Sequence, residues 1–176
     1  MVDASIARAA GGEDAVFPQS KHCRDFLRGM LDICHKIVMT EQIYEEWKKH
    51  ESKFARTWRM RMIARRKLVQ LAGVSDVDIK NEIDDLAASP RDRATMKKDA
   101  LLIAAALETD GLVASMDDTA RELFRQACKN IARLGPVIWV NPANDYEAVN
   151  QWMRRGAKNS RGLRLKNLAR PPDNRC

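Results

Sequence analysis

Apolar residues recur at helical spacing along most of this chain, and the helical stretches are separated by short runs that are apolar throughout. After Ser20, a suitable N-cap, Cys23, Phe26, Leu27, Met30, Leu31 and Cys34 fall on one helix face. Ile37-Val38-Met39 is a β-prone run, and Thr40 can cap a second helix bearing Ile43, Tyr44, Trp47, Phe54, Trp58 and Met62, with a break near Ser52. Residues 76–88 read as an amphipathic helix, with Val77, Ile79, Ile83 and Leu86 opposite Asp76, Asp78, Glu82, Asp84 and Asp85. Ser89-Pro90 breaks it. The next helix runs from near Thr95 to Thr109 and stops at Gly111. Leu112-Val113-Ala114 is a strand, Thr119 to Arg133 a helix and Gly135-Pro136 a turn. Val137-Ile138-Trp139-Val140 is the clearest strand, closed by Asn141-Pro142, and a last helix carries Tyr146, Val149, Trp152 and Met153. Met1-Val2-Asp3 reads as the end of one more strand. Short apolar strands alternating with helices predict an α/β fold whose parallel sheet is covered on both faces.

Length and composition narrow the class without changing that picture. A chain of 176 residues, 45% of them hydrophobic, fits one globular domain with a tail. The start carries no basic-then-apolar signal, and no apolar run approaches the roughly 20 residues of a spanning helix, so a cytoplasmic protein is expected. Cys23, Cys34, Cys128 and Cys176 form no C-x-x-C pair, and His22, His35 and His50 supply no zinc spacing. Reduced thiols are the expectation, with Cys23 and Cys34 on one helix.

Charge changes the picture through its location. The net charge is +7. Arg154, Arg155, Lys158, Arg161, Arg164, Lys166, Arg170 and Arg175 stand against Asp173 alone after residue 153, so the tail accounts for the whole excess. The reading is a domain over 1–153 and a basic, flexible tail over 154–176 suited to a polyanion or serving as a solubilising terminus. A second basic stretch, Lys53 to Lys67, holds seven basic residues and no acid, with Trp58 among them. Either Trp58 stacks on bases beside phosphate-binding arginines, or Trp58 and Met62 face the core while the arginines solvate the other helix face.

The acids point to chemistry. Asp3 follows the first strand, Asp117 and Asp118 follow Leu112–Ala114, Glu46 lies in the helix after Ile37–Met39, and Asp99 starts the alanine-rich helix. In open α/β sheets, ligand sites form beyond the carboxyl ends of strands, so these acids share an edge. Converging carboxylates repel unless a cation or shared protons hold them, and an all-oxygen site suits Mg²⁺ or Mn²⁺.

Together these segments resemble the PIN-domain nucleases over most of residues 1–150. Val2-Asp3-Ala4-Ser5 is similar to the family's opening strand and first acid, although only Met1 and Val2 precede that acid where family members carry several apolar residues. Val38 to Trp47 resembles the second strand and the helix carrying the glutamate, Asp99 to Ala106 the third acid on its helix, and Val113 to Asp117 the segment in which Ser or Thr precedes the fourth acid by two. Val140-Asn141-Pro142 is similar to the strand-to-proline exit late in that fold. The resemblance implies a three-layer α/β/α fold with a short parallel sheet of about four strands, and metal ligands Asp3, Glu46, Asp99 and Asp117. Ser115 would orient a carboxylate or water, and Ser5 would act similarly near Asp3. Glu45 competes with Glu46, and Asp118 with Asp117. Glu46 is preferred for its place six residues after Thr40, and Asp117 for its place at the strand tip, which leaves Asp118 to cap the next helix.

The function that follows is a Mg²⁺- or Mn²⁺-dependent endoribonuclease that hydrolyses single-stranded RNA with a metal-activated water. The resemblance implies two roles, the toxin of a toxin–antitoxin pair with an antitoxin as partner, or a stand-alone RNA-processing nuclease. It leaves a homo-oligomer open. The main rival is a non-catalytic PIN-like module for nucleic-acid binding or assembly. A phosphatase-type hydrolase is more distant, because no Asp-x-Asp follows the first strand and no Gly-rich phosphate loop is present.

Overall fold

In the computed structural model, which describes residues 1–168 apart from Ala87 and Asn159, helices and short strands alternate along the chain. Val2 makes a parallel bridge to Ala114, and the chain turns at once into helix α1 (Ala4–Ala9). Helix α2 (Pro18–Asp32) begins on a proline, with Phe17 at the cap. Ser20 therefore lies inside the helix and does not cap it: proline's fixed φ and missing N–H already set the first turn. Cys34 falls beyond the end of α2 with φ 63, so it does not share that helix with Cys23.

Strand β1 (Ile37–Met39) leads to Thr40, whose hydroxyl accepts from the Ile43 N–H at 3.2 Å and starts α3 (Glu41–His50). The break near Ser52 is present, and Ser52 caps α4 (Lys53–Ala64) by accepting from the Ala55 N–H at 3.3 Å. Strand β2 (Leu68–Gln70), parallel to β1, is one that the hydrophobic pattern did not signal. Three residues ending on a glutamine carry no period to read.

Helix α5 (Val77–Asp84) is shorter than the expected 76–88. The single helix expected from Thr95 to Thr109 is two helices, α6 (Pro90–Lys98), capped by Ser89, and α7 (Ala100–Leu107). Asp99 separates them at φ −98, ψ 6, off the helical ladder. Gly111 (φ +71) donates to the Ala106 carbonyl at 2.9 Å, a left-handed closure that glycine adopts without a Cβ penalty. Strand β3 (Leu112–Ala114) is parallel to β4 (Ile138–Val140). Between them α8 (Asp118–Ala127) ends before Arg133, and a short 3-10 turn covers Ala132–Leu134. Helix α9 (Tyr146–Arg154) closes the domain against α2. The approach is close at Gly29, where an added Cβ would collide with the Met153 Cε.

The fold is mixed α/β. Among the described residues the strands form two parallel pairs, β1–β2 and β3–β4, where one four-stranded sheet was expected. Met1 to Asp3 widen the second pair: the Asp3 N–H donates to the Ala114 carbonyl at 2.9 Å and the Ala114 N–H to the Met1 carbonyl at 3.0 Å. A cavity of about 80 Å³ is lined by residues of both pairs, Met1, Val2, Ile37 and Leu112 among them.

Burial explains why the large aromatics sit where they do. Trp47, Trp58 and Trp139 are among the largest fully buried side chains. Trp47 donates its indole N–H to the Val2 carbonyl at 2.8 Å, and its ring lies 5.7 Å from that of Trp58. Trp58 donates to the Leu27 carbonyl, so it anchors α4 to α2 and presents no face to a nucleic-acid base. Met62 is also buried.

The segment expected to be a flexible tail is, through Leu168, attached to the domain. The Leu165 N–H donates to the Val137 carbonyl at 2.7 Å, Arg164 bridges antiparallel to Ile138, and Leu165 is fully buried. Arg170, Pro171, Pro172, Asp173, Arg175 and Cys176 lie outside the described residues. Among the described residues no helix is long and apolar enough to cross a membrane.

Candidate metal centre

The four acids singled out in the sequence, Asp3, Glu46, Asp99 and Asp117, line one cleft of about 450 Å³. Each arrives by a different local route. Asp3 is held by the β-bridge at Val2 and caps α1, its carboxylate accepting from the Ser5 N–H at 3.2 Å. Asp117 follows the tip of β3 and caps α8, one oxygen accepting from the Ala120 N–H at 2.8 Å. Glu46 projects from the exposed face of α3. Asp99 occupies the break between α6 and α7, where the backbone leaves the helix and turns the side chain toward the cleft.

Ser115, fully buried, ties two of these elements together. Its hydroxyl donates to the Asp3 carboxylate at 3.1 Å and accepts from the Asp117 N–H at 3.2 Å. Ser5 braces the same strand tip, its hydroxyl accepting from the Met116 N–H at 3.3 Å. A hydroxyl that donates to one acid and accepts from the backbone of another fixes their separation without neutralising either.

The competing acids are engaged elsewhere. Glu45 pairs with Lys48 at 2.9 Å on the solvent side of α3. Asp118 pairs with Arg121 at 2.8 Å and accepts from Asn144 at 2.6 Å. The capping role expected of Asp118 belongs to Asp117, and Asp118 lies inside the first turn of α8.

The cleft's electrostatics centre on Asp99. Burial, then the charges of Asp3, Asp117 and Glu46, push its carboxyl up from the ordinary 3.8 to about 7, against a small opposing pull from Lys98. Desolvation and like charge both favour the neutral acid, so a site that holds Asp99 as a carboxylate at neutral pH needs added positive charge. The donor set is all oxygen, which suits Mg²⁺ or Mn²⁺. As the side chains stand, no group of three or more His, Cys, Asp or Glu among the described residues is close enough to hold an ion. The charges fit a divalent cation, whereas the side chains would have to close on it to bind it.

Sequence reasoning missed the cleft's other polar members, Arg8, Gln42, His50 and Lys98. Helical spacing carried the signal: Gln42, Glu46 and His50 are four residues apart on α3, and Arg8 is three beyond Ser5 on α1. The basic stretch over Lys53–Lys67 is divided. Arg59 is buried, with a two-pronged contact to Glu51 at 2.7 and 2.8 Å and a bond to the Tyr44 hydroxyl at 2.7 Å. Lys53, Arg56, Arg61, Arg65 and Arg66 remain exposed.

Comparison with protein-family models, curated proteins and solved structures gives no match to this chain.

Proposed function

We propose that this protein is a PIN-like, metal-dependent endoribonuclease acting on single-stranded RNA, with Asp3, Glu46, Asp99 and Asp117 as its ligand set. The observation that carries the reading is the convergence of these four acids on one cleft, with Asp99 pushed up to about 7 by burial and by the other three. The proposal includes the three-layer α/β/α arrangement, with β2, β1, the Val2 edge, β3 and β4 as one layer.

Mg²⁺ or Mn²⁺ bound by these carboxylates would acidify water and offset charge developing on a phosphodiester. The chain's own residues prepare the site. Ser115 holds the Asp3 carboxylate and the Asp117 backbone in register. The Ala120 N–H engages one Asp117 oxygen and leaves the other toward the cleft. Asp99, pushed up to about 7 when the cleft is empty, sheds the proton it still carries near neutral pH when positive charge enters, so ligand binding and proton release are linked. The exposed arginines of α4 supply a basic surface for a polyanion.

The test is cleavage of a mixed-sequence single-stranded RNA by purified protein in Mn²⁺ or Mg²⁺, stopped by EDTA. Cutting that survives EDTA, or none under any condition, overturns the reading.

A second reading, a PIN-like module that binds RNA or a protein partner without cutting it, is favoured by one observation: three acids do not yet stand within reach of a common ion. RNA binding with no cleavage and no metal-induced thermal shift would establish it. A cytoplasmic toxin held by an antitoxin, a stand-alone processing enzyme and a homo-oligomer are all compatible with the first reading.

A further inference from the structure

Cations that lie near carboxylates in this protein generally pair with them. Lys21 pairs with Asp25 at 2.6 Å, Lys80 with Asp76 at 2.7 Å and Arg121 with Asp145 at 2.6 Å. Lys97, at the end of α6, pairs with Asp84 at 2.5 Å. Its neighbour Lys98 turns the other way, into the wall of the acid cleft, and forms no ion pair or hydrogen bond among the described residues. Arg8 lines the same cleft from α1, also with no ion pair or hydrogen bond there. The Arg and Lys lining a cleft with four carboxylates thus neutralise none of them by contact.

Pairing would be the default outcome for flexible cations beside uncompensated acids, since opposite charges attract and an exposed pair forms at little cost. Their separation leaves the guanidinium and ammonium groups available. The two also come from different elements of the cleft's lining. Arg8 belongs to the α1–α3 side, where those two helices pack together, and Lys98 to the junction of α6 and α7. A phosphodiester strand approaching four carboxylates is repelled unless cations meet its phosphates. Arg offers a planar fork of donors matched to phosphate oxygens, and Lys a compact charge.

We infer that Arg8 and Lys98 are the phosphate-binding residues of the cleft, gripping the backbone of a single-stranded RNA from two separate elements and positioning it over the carboxylates. The inference rests on the nuclease reading for the identity of the strand, but it concerns binding, which is measured without turnover. Neither residue touches the reacting atoms in this assignment. They are positioning residues.

The experiment measures the affinity of a short mixed-sequence single-stranded RNA by fluorescence anisotropy across a salt series. Ca²⁺ replaces Mg²⁺, because it binds oxygen ligands with looser geometry. Arg8→Gln and Lys98→Gln should each weaken binding about three- to tenfold. Together they should flatten the slope of log affinity against log salt by about 1.4, from about 0.7 per phosphate contact on a single strand. Arg8→Lys should restore most of the salt slope, because the charge returns. The Mn²⁺-induced rise in melting temperature should persist in both Gln variants, since neither residue holds the ion, with only a modest change in the Lys98 variant from the lost pull on Asp99.

Unchanged affinity and slope overturn the inference. So does loss of the Mn²⁺ response in the Gln variants, which would mean that these cations arrange the carboxylates. Wild type that binds RNA and loses affinity in the variants, yet cuts nothing in Mg²⁺ or Mn²⁺, overturns the nuclease reading and leaves the phosphate assignment standing. Wild type that binds no single-stranded RNA overturns both.

Discussion

Two acids on neighbouring turns of α3 meet opposite fates. Glu51, which closes the helix, is buried and receives both prongs of Arg59, whose guanidinium also donates to the Tyr44 hydroxyl. Its charge is answered inside the fold, and the result locks the end of α3 to α4. Glu46, little more than one turn earlier, faces Asp3, Asp99 and Asp117 across a cleft whose two strongest cations pair with none of them. Every charge in the first group has a partner in the chain, whereas under the proposed reading the partner of the second group comes from outside. A buried pair is architecture, whereas gathered and unanswered charge is the mark of a site.

The comparison breaks most sharply if removing one acid from the cleft does nothing. Asp117→Asn should lower RNA cleavage at least a hundredfold in a gel assay, because a ligand is lost while the cap to the Ala120 N–H is kept by the amide oxygen. RNA affinity should stay within about threefold, since the change removes no phosphate contact. Cleavage at the wild-type rate would exclude Asp117, and Asp118→Asn would then separate a wrong assignment from a contaminating nuclease.

Stability tests the other pole. Arg59→Ala leaves the buried Glu51 carboxylate without its counter-charge and should cost about 3 kcal/mol in urea unfolding. No cleft carboxylate should be so costly to neutralise. Asp99→Asn should leave the metal-free protein more stable by about 1–2 kcal/mol at pH 8, after discounting for solvent at the open cleft.

The pH dependence sharpens the same point. The folded value for Asp99, about 7, lies above its ordinary 3.8, so between those values the folded state binds more protons than the unfolded one. Stability from this group is full below about pH 4 and is lost as pH rises through about 7. The metal-free wild type should therefore weaken across that window in chemical melts at successive pH values, and Asp99→Asn should flatten that part of the profile. Mn²⁺ should raise the wild-type melting temperature more at pH 8 than at pH 5.5, because the ion needs the deprotonated acid. An equal shift at both values would remove Asp99 from the ligand set.

The smallest effect belongs to the terminus. Leu165 is part of the core, so truncation after Met153 would damage the fold, whereas removal of residues 169–176 takes away Arg170 and Arg175 while sparing it. Affinity for single-stranded RNA should fall only a few-fold, and the salt slope should flatten by at most about 1.4. Cleavage at low salt should persist.

Much of this was present in the one-dimensional pattern, because the forces that made it legible are local. Thr40 and Ser52 start their helices through contacts three residues away, and Gly111 ends its turn through its own backbone freedom. The acids could be placed at element ends for the same reason, and the alternation of helix and strand already implied an α/β class. What depended on distant partners was illegible. Trp58 looks alike as a stacking platform or a core anchor until Leu27 and Trp47 lie beside it. Arg59 reads as one of seven basic residues until Glu51 claims it. Leu165 sits in a charged tail until β4 offers it an edge. Asp99 lies in an unbroken helical pattern, yet the helix breaks there and turns a carboxylate toward three others. The amino-acid sequence by itself determined which residues carry charge and where elements begin. Only tertiary contact decided which charges are answered within the chain, because electrostatic energy depends on distance and burial, and neither exists before the chain folds.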